Sequence, residues 1–294
     1  MSLKGRVAIL GHTRRPAVRR EAERLRRLLA RRGVAVRFEE TLALEMGASG
    51  ARGAPLADLA RWCDVLVSLG GDGTALAGAR ALAGRRGALL PINLGGLGFL
   101  TVAEAKQAEV ALLASVRGEW PIARRGALRA HVLRRGRALS RRIAMNDVVV
   151  KGAGGYAAIH LRIEVLGHDL GLVVADGLIV ASAAGSTAYS LSAGGPVLEP
   201  EVQGLVLTPV CAHSLGSRSL VLSPRTEVRA RVLRSNDRAV LLFDGQERLD
   251  LMPRDEVRVR LVPDAVRVFQ NPERPFARTL QSKLGWQGSA RRSR

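Results

Sequence analysis

A chain of 294 residues with 47% hydrophobic and 24% charged residues can bury a substantial core, which excludes wholesale disorder and suits two medium-sized domains. The net charge of +20 comes almost wholly from arginine, since the lysines are only Lys4, Lys106, Lys151 and Lys283. A nucleic-acid-binding protein would cluster such charge on one face and interleave aromatics; here the basic residues are scattered and aromatics make up 3%, so compositional bias is the favoured reading.

The resulting positive field would still concentrate anions such as nucleotides. Cys63 and Cys211 show no C-x-x-C spacing, which speaks against a zinc site or a disulfide framework and suits a reducing, cytoplasmic setting. The N-terminal MSLKGRVAIL has neither a long apolar stretch nor a small-residue cleavage site, against a signal peptide. The apolar run from Leu178 to Leu198 is interrupted by Gly185, Gly194, Gly195 and several hydroxyls, and makes a poor membrane span.

In chain order, residues 6–10 read as a short buried strand, followed by a turn over Gly11–Arg15 and a helix with Pro16 in its first turn. Val18, Ala22, Leu25, Leu28 and Leu29 recur along it at helical spacing, and Gly33 sits where a left-handed cap would end it. Strands are expected at 34–38, at 64–69 leading into Gly70-Gly71-Asp72-Gly73-Thr74 and a helix to about Ala83, and at 89–94 leading into Gly95-Gly96-Leu97-Gly98-Phe99. Strands alternating with helices imply a mostly parallel sheet, whose ligands bind beyond the carboxyl ends of the strands; both glycine loops fall there.

After a helix at 104–117 the period changes to two, with strands expected at 128–133, 148–151, 159–165, 205–210, 228–233, 239–243 and 257–262. The fold class is therefore an α/β N-terminal domain followed by an antiparallel all-β domain. The expected division is 1–118, 119–268 and a C-terminal segment 269–294 that packs back on the first domain and ends in a loose tail.

Asp72 is the informative residue of the first loop. Glycines let phosphates approach backbone N–H groups at a helix N-terminus, but a carboxylate among them repels anions unless it orients a hydroxyl, accepts its proton or holds magnesium. The alternative is an Asp satisfying its own tight turn. The loop lacks the lysine of a Walker-type P-loop.

A second signal is Asp176–Val180 followed by Gly185–Ser190 and Gly194–Pro196, whose small residues and hydroxyls can line a pocket for a base and a sugar; ordinary loops share that composition. Asn146-Asp147, ahead of Val148–Val150, is placed to meet ribose or base edges, or is a plain turn.

In combination and in this order, Gly70–Thr74, LGFLT at 97–101, Asn146-Asp147, Asp176–Val180, GSTAYSLS at 185–192 and Gly194–Pro196 resemble the bacterial NAD kinases over nearly the whole chain. So do His213, Asp244-Gly245-Gln246 and TLQSKLGW at 279–286. The resemblance implies a Rossmann-like N-terminal domain, an antiparallel C-terminal domain, and an NAD site in the cleft between them, completed by a neighbouring subunit of a homodimer or homotetramer. Asp72 would act on the ribose 2′-hydroxyl as base or orienter, and Gly70, Gly71, Gly73 and Thr74 would meet the phosphates of ATP or polyphosphate. Mg²⁺ or another divalent metal would come mainly through those phosphates, with Asp72 as a possible protein ligand.

Gly73, Asn146, Asp147, Thr187, Ala188, Tyr189, Ala184 and Gln246 would hold NAD, with Phe99 at the adenine end and Asp176 at the subunit junction reaching the nicotinamide half. The product would be NADP, with no membrane and no specific nucleic acid as partner. Two positions depart from the family pattern: Ala184 lacks a hydroxyl that relatives offer to the base, and Val174 stands where many carry Lys or Arg. A lipid kinase also uses a GGDGT loop but would need an apolar, aromatic-bearing anchor, which the sequence does not show.

Overall fold

The computed structural model describes residues 5–12, 15–47, 52–96, 98–154, 158–214, 216–235 and 238–285. Lys4, Thr13 and Arg14 of the first turn, Leu97, Leu215, Trp286 and the tail at 289–294 lie outside them.

The chain begins with β1 (Arg6–Gly11), α1 (Pro16–Ala30), β2 (Ala35–Glu39), α2 (Glu40–Met46), β3 (Gly53–Ala54), α3 (Leu56–Trp62), β4 (Val65–Gly70), α4 (Asp72–Leu82), β5 (Ala88–Asn93), β6 (Ala103–Glu104) and α5 (Ala108–Val116). Next come β7 (Ile122–Arg134), β8 (Arg137–Ala144), β9 (Asp147–Gly152), β10 (Ile159–Val165), β11 (His168–Ala175), β12 (Gly177–Ser182) and the short α6 (Tyr189–Ser192). It ends with β13 (Leu205–Val210), β14 (Leu220–Leu222), β15 (Glu227–Ser235), β16 (Ala239–Phe243), β17 (Glu247–Leu251), β18 (Glu256–Phe269) and α7 (Phe276–Leu284). Two compact units result: Met1–Leu82 with Arg86–Ala123 and Arg267–Arg294, and Ala83–Arg85 with Arg124–Val266.

The first unit is built on a parallel sheet in the order β5-β4-β1-β2-β3. Every residue of β4 and β5 is buried, as expected of central parallel strands covered on both faces. Helix α1 starts on Pro16, turns Val18, Ala22, Leu25 and Leu29 inward, and is closed by Gly33 at φ 71°. The chain end is tied to this unit: Arg267 and Val268 pair with Ala88 and Leu89, Phe269 enters the core, and Asn271 Nδ2 donates to the Val102 carbonyl at 3.1 Å. The strand expected at 89–94 lies one residue earlier. The helix expected at 104–117 is a 3-10 turn over Ala105–Gln107, opened by a Glu104/Gln107 capping box, followed by α5.

In the second unit, β14-β13-β12-β9-β16-β17 form one antiparallel sheet, and β11, β10, β15 and the first part of β18 form another. Alternate residues of both fill one core, among them Leu161, Ile163, Val228, Val257, Val148, Val150, Leu178, Val180, Leu207 and Leu241, which is the sandwich solution to two half-apolar sheets. The other face of the first of these sheets is apolar as well. There Val149, Ile179, Ala181 and Val206 are covered by Ala183 and Leu198 of the loop after β12. Strand β12 is thus buried on both sides, and β12 and the arginine-rich β8 are strands that periodicity does not reveal.

Candidate active site

In the first unit the site is made by the loops that follow β4 and β5. Helix α4 begins on Asp72, directly behind Gly70-Gly71, so its N-terminus opens at the carboxyl end of the sheet. The half-buried Asp72 carboxylate reaches across to the second loop, where Phe99 N–H donates to Oδ2 at 3.0 Å and Leu100 N–H to Oδ1 at 3.3 Å. That loop is braced from beneath by buried polar groups. Asn93 Oδ1 accepts from Gly95 N–H at 2.7 Å, Asn93 Nδ2 donates to the Gly96 carbonyl at 2.8 Å, and Thr101 Oγ1 accepts from Gly98 N–H at 3.0 Å.

The glycines have different reasons. A Cβ on Gly98 would stand 1.9 Å from Asp72 Oδ1, and one on Gly70 would stand 2.4 Å from Thr74 Oγ1, so both are required by the protein's own packing. A Cβ on Gly71 or Gly96 would meet nothing within 4 Å, and neither residue has a positive φ. The fold itself makes no demand for glycine there.

Arg274, which sequence reasoning passed over, lies close enough to Asp72 and Glu104 to feel their charge. Burial lowers its proton affinity against the pull of those carboxylates. Its Nη1 is buried without a hydrogen-bond partner, beside a cavity of 630 Å³ lined by Glu104, Lys106, Asn271, Arg278 and Gln281 among others.

In the second unit Asn146-Asp147 opens β9 beside the end of β12. Gly185 lies directly over Asn146, where a Cβ would come within 1.9 Å of the Asn146 carbonyl oxygen. The Asn146 carbonyl accepts from Ser182 N–H at 2.8 Å, and Ser182 Oγ donates to the Met145 carbonyl at 2.5 Å. Asp244 enters from the turn between β16 and β17. That turn is of type I′, with Asp244 at φ 51° and Gly245 at φ 65°, closed by Gln246 N–H on the Phe243 carbonyl at 2.9 Å. The Asp244 carboxylate accepts from the N–H groups of Met145 at 2.9 Å, Asn146 at 2.7 Å and Asp147 at 3.3 Å.

Asp147 is 5% exposed, and burial, reinforced by the neighbouring Asp244, pushes its carboxyl up to about 7. Asn146 Oδ1 is buried with no partner. Asp244 carried no assigned role in the sequence reading, although an Asp-Gly dipeptide between apolar strands is a hairpin signal.

The hydroxyls of residues 185–190 are used differently from the sequence expectation. Ser186 Oγ donates to the Ala183 carbonyl and accepts from Leu198 N–H, Ser190 Oγ bonds Thr208 Oγ1 at 2.9 Å, and Thr187 Oγ1 donates to the Ala184 carbonyl at 3.1 Å. Ser186 and Ser190 are fully buried, so these groups shape the loop; Ala184 is buried, Thr187 and Ala188 are partly exposed, and Tyr189 is 40% exposed.

The structure brings Asn146, Asp147, Asp244 and the 182–187 loop together, with Gln246 exposed on the adjoining turn. Asp176 is exposed at the other end of β12, roughly 20 Å along the strand from Ser182. Val174 lies on β11, where its carbonyl accepts from the N–H of the exposed His213.

The family model described as the ATP-NAD kinase N-terminal domain matches residues 7–120, and that of the ATP-NAD kinase C-terminal domain matches residues 145–270. The NAD kinase of Solibacter usitatus is 39% identical over 88% of this chain and 89% of its own length; that of Cupriavidus pinatubonensis is 36% identical over 95% and 92%. Among solved structures, yeast NADH kinase complexed with NADH superposes with a TM-score of 0.90 at 26% identity, covering 98% of this chain and 90% of that one. The NAD kinase from Archaeoglobus fulgidus in complex with ATP gives 0.74 at 27%, covering 96% and 100%. With both family models matched in order along the chain and relatives more than 30% identical over most of its length, the chain belongs to the ATP-NAD kinase family.

Proposed function

We propose that this enzyme transfers the terminal phosphoryl group of ATP to the 2′-hydroxyl of the adenosine ribose of NAD, with Asp72 as the group that acts on that hydroxyl. The 2′-oxygen forms a bond to the γ-phosphorus, the bond to the ADP oxygen breaks, and the hydroxyl proton passes to the Asp72 carboxylate. The observation that carries this reading is the Asp72 side chain itself, aimed by the Phe99 and Leu100 amides at the mouth of a parallel sheet. A carboxylate held by two backbone amides is fixed in direction, which is what positioning a hydroxyl requires.

Gly71 and Gly73, with the first N–H groups of α4, meet the donor phosphates; the open space over Gly71 supports this role. Among the described residues no group of three or more His, Cys, Asp or Glu forms a cation cage, and both Asp72 oxygens already accept amides. A divalent ion would be held mainly by the donor phosphates, with Asp72 as the protein residue that could ligate it, and would neutralise charge there.

Asn146, Asp147, Ala184, Thr187, Ala188, Tyr189 and Gln246 bind the dinucleotide, Phe99 borders its adenine end, and Asp176, near the subunit junction of a cytoplasmic homo-oligomer, reaches the nicotinamide half. The yeast neighbour's NADH and the archaeal neighbour's ATP support both ligand classes.

The test is to incubate the purified protein with NAD, Mg²⁺ and either ATP or polyphosphate and to measure NADP, with diacylglycerol as a competing acceptor in a parallel arm. Asp72→Asn should lower kcat by about two to four orders of magnitude with NAD affinity largely retained. Near-normal turnover removes Asp72 from the chemistry.

A further inference from the structure

A buried carboxylate ordinarily meets hydrogen-bond donors or a cation, because desolvation penalises its charge. Asp147 and Asp244 are both buried at one end of the second unit's sheet, and the donors there are shared unequally. Asp244 takes the N–H groups of Met145, Asn146 and Asp147, the last from the very residue whose side chain lies beside it. The Asp147 carboxyl receives no amide, hydroxyl or cation among the described residues.

Among the described residues no positive charge acts on it. From β12, which pairs with β9 at Ala181 and Asp147, comes the neutral Ser182 hydroxyl, already committed to the Met145 carbonyl. From the β16–β17 turn comes Asp244. On β8 and β17, Arg142 and Glu247 pair with each other at 3.4 Å, and on β9 itself Lys151 stands at the far end of the strand, opposite Gly177.

Resting on the NAD kinase reading of this site, we propose that Asp147 engages the dinucleotide as a neutral carboxylic acid that donates a hydrogen bond, and that Asp244 is the positioning residue that keeps it so. By collecting the three amides, Asp244 holds the 145–147 turn in place and its own charge next to Asp147. A second ionised carboxylate at that spot would be unpaired and repelled. The carboxyl of Asp147, pushed up to about 7, keeps its proton below neutral pH and gives it up above. Next to it the partnerless Asn146 Oδ1 is an acceptor, so the ligand meets an acceptor and a donor side by side.

The experiment is isothermal titration of NAD into the full chain at about pH 6 and about pH 8.5, in two buffers of different ionisation enthalpy. Because the binding form is protonated, affinity is full below about 7 and falls above it. The wild-type dissociation constant should rise about tenfold or more between the two conditions, with about one proton taken up per NAD at the higher pH.

Asp147→Asn, which retains a donor but cannot ionise, should give one dissociation constant at both pH values and no proton uptake. Asp244→Asn should move the midpoint of the pH dependence downward, a shift that a merely structural role for Asp244 would not produce. If Asp244→Asn fails to fold, the wild type and Asp147→Asn still decide the protonation state. Wild-type affinity that is flat or rises with pH overturns the proposal, as does an unmoved midpoint in a folded Asp244→Asn. A preparation that forms NADP without this pH response refutes the inference alone, whereas one that forms no NADP refutes the kinase reading.

Discussion

Replacing Gly98 by alanine should disable the enzyme without unfolding it. The new Cβ would stand 1.9 Å from Asp72 Oδ1 and 2.3 Å from Oδ2 and Cγ, whereas real Cβ atoms essentially never come closer than 3.0 Å. Gly98 has no positive φ, so the backbone accepts alanine and the carboxylate must yield by more than 1 Å. In yielding it gives up the Phe99 and Leu100 amides, which lie in a partly exposed loop and can turn to water.

Exchanging such bonds for water costs about 1 kcal/mol each, a fall of a few degrees in Tm. The chemical cost is larger, since a misplacement of about 1 Å lowers a rate about a hundredfold, or about 3 kcal/mol in the barrier. Initial rates of NADP formation with NAD and ATP varied in turn should show this loss in kcat, with KM for NAD within a few fold of wild type. A kcat within threefold of wild type, in a protein that melts cooperatively, would refute the argument that Asp72 must be held where it is.

Gly71→Ala probes the same loop from the opposite direction. Nothing in the folded chain lies within 4 Å of the added methyl, so Tm should not change, while KM for ATP should rise about tenfold if phosphates approach the backbone there. An unchanged KM for ATP removes Gly71 from the donor site.

Asp147→Asn should stabilise the NAD-free protein, and more so as pH rises. In wild type the carboxyl ionises near 3.8 when unfolded but near 7 when folded, so stability is full below the lower value and is lost as pH climbs through that window. The loss amounts to about 4 kcal/mol at most. Urea unfolding of both proteins between about pH 4 and pH 8 should show the difference open across the window and level off above it. A difference independent of pH would mean that the carboxyl is not held neutral by the fold.

The parts of the fold legible in the sequence are those whose runs are marked off by alternation or by flanking turn residues. β10, β13 and β16 alternate or sit between clear turn residues, and periodicity places all three at their observed bounds. Helix α1 is legible because its inward stripe and its Pro and Gly boundaries agree. β12 is missed because apolar layers cover both of its faces, which removes alternation, and its small-residue apolar run continues past Ser182 with no turn residue to mark its end. β8 fails in the opposite sense, since RALSRRIA is exposed along most of its length and is held mainly by pairing with β7.

The site shows a similar division between residues that declare a chemistry and residues that serve one. Asp72 stands out because a carboxylate among glycines conflicts with phosphate binding unless it acts. Its support does not stand out: the Phe99 and Leu100 amides are backbone, and Gly98 resembles any other turn glycine until its Cβ is built against a carboxylate.

In the second unit the serines suggested a pocket, but Ser186 and Ser190 spend their hydroxyls on Ala183, Leu198 and Thr208. Beside that loop, among the described residues, Asn146 Oδ1 and the Asp147 carboxyl have no hydrogen-bond partner. Composition counts donors and acceptors without recording which are already used, and only the folded chain records that. A recognition site is best located by its remainder, because a buried polar group with no partner costs stability until a ligand supplies one. On that criterion the Asn146-Asp147 pair is the stronger binding candidate, and the serine-rich loop is the frame that holds it.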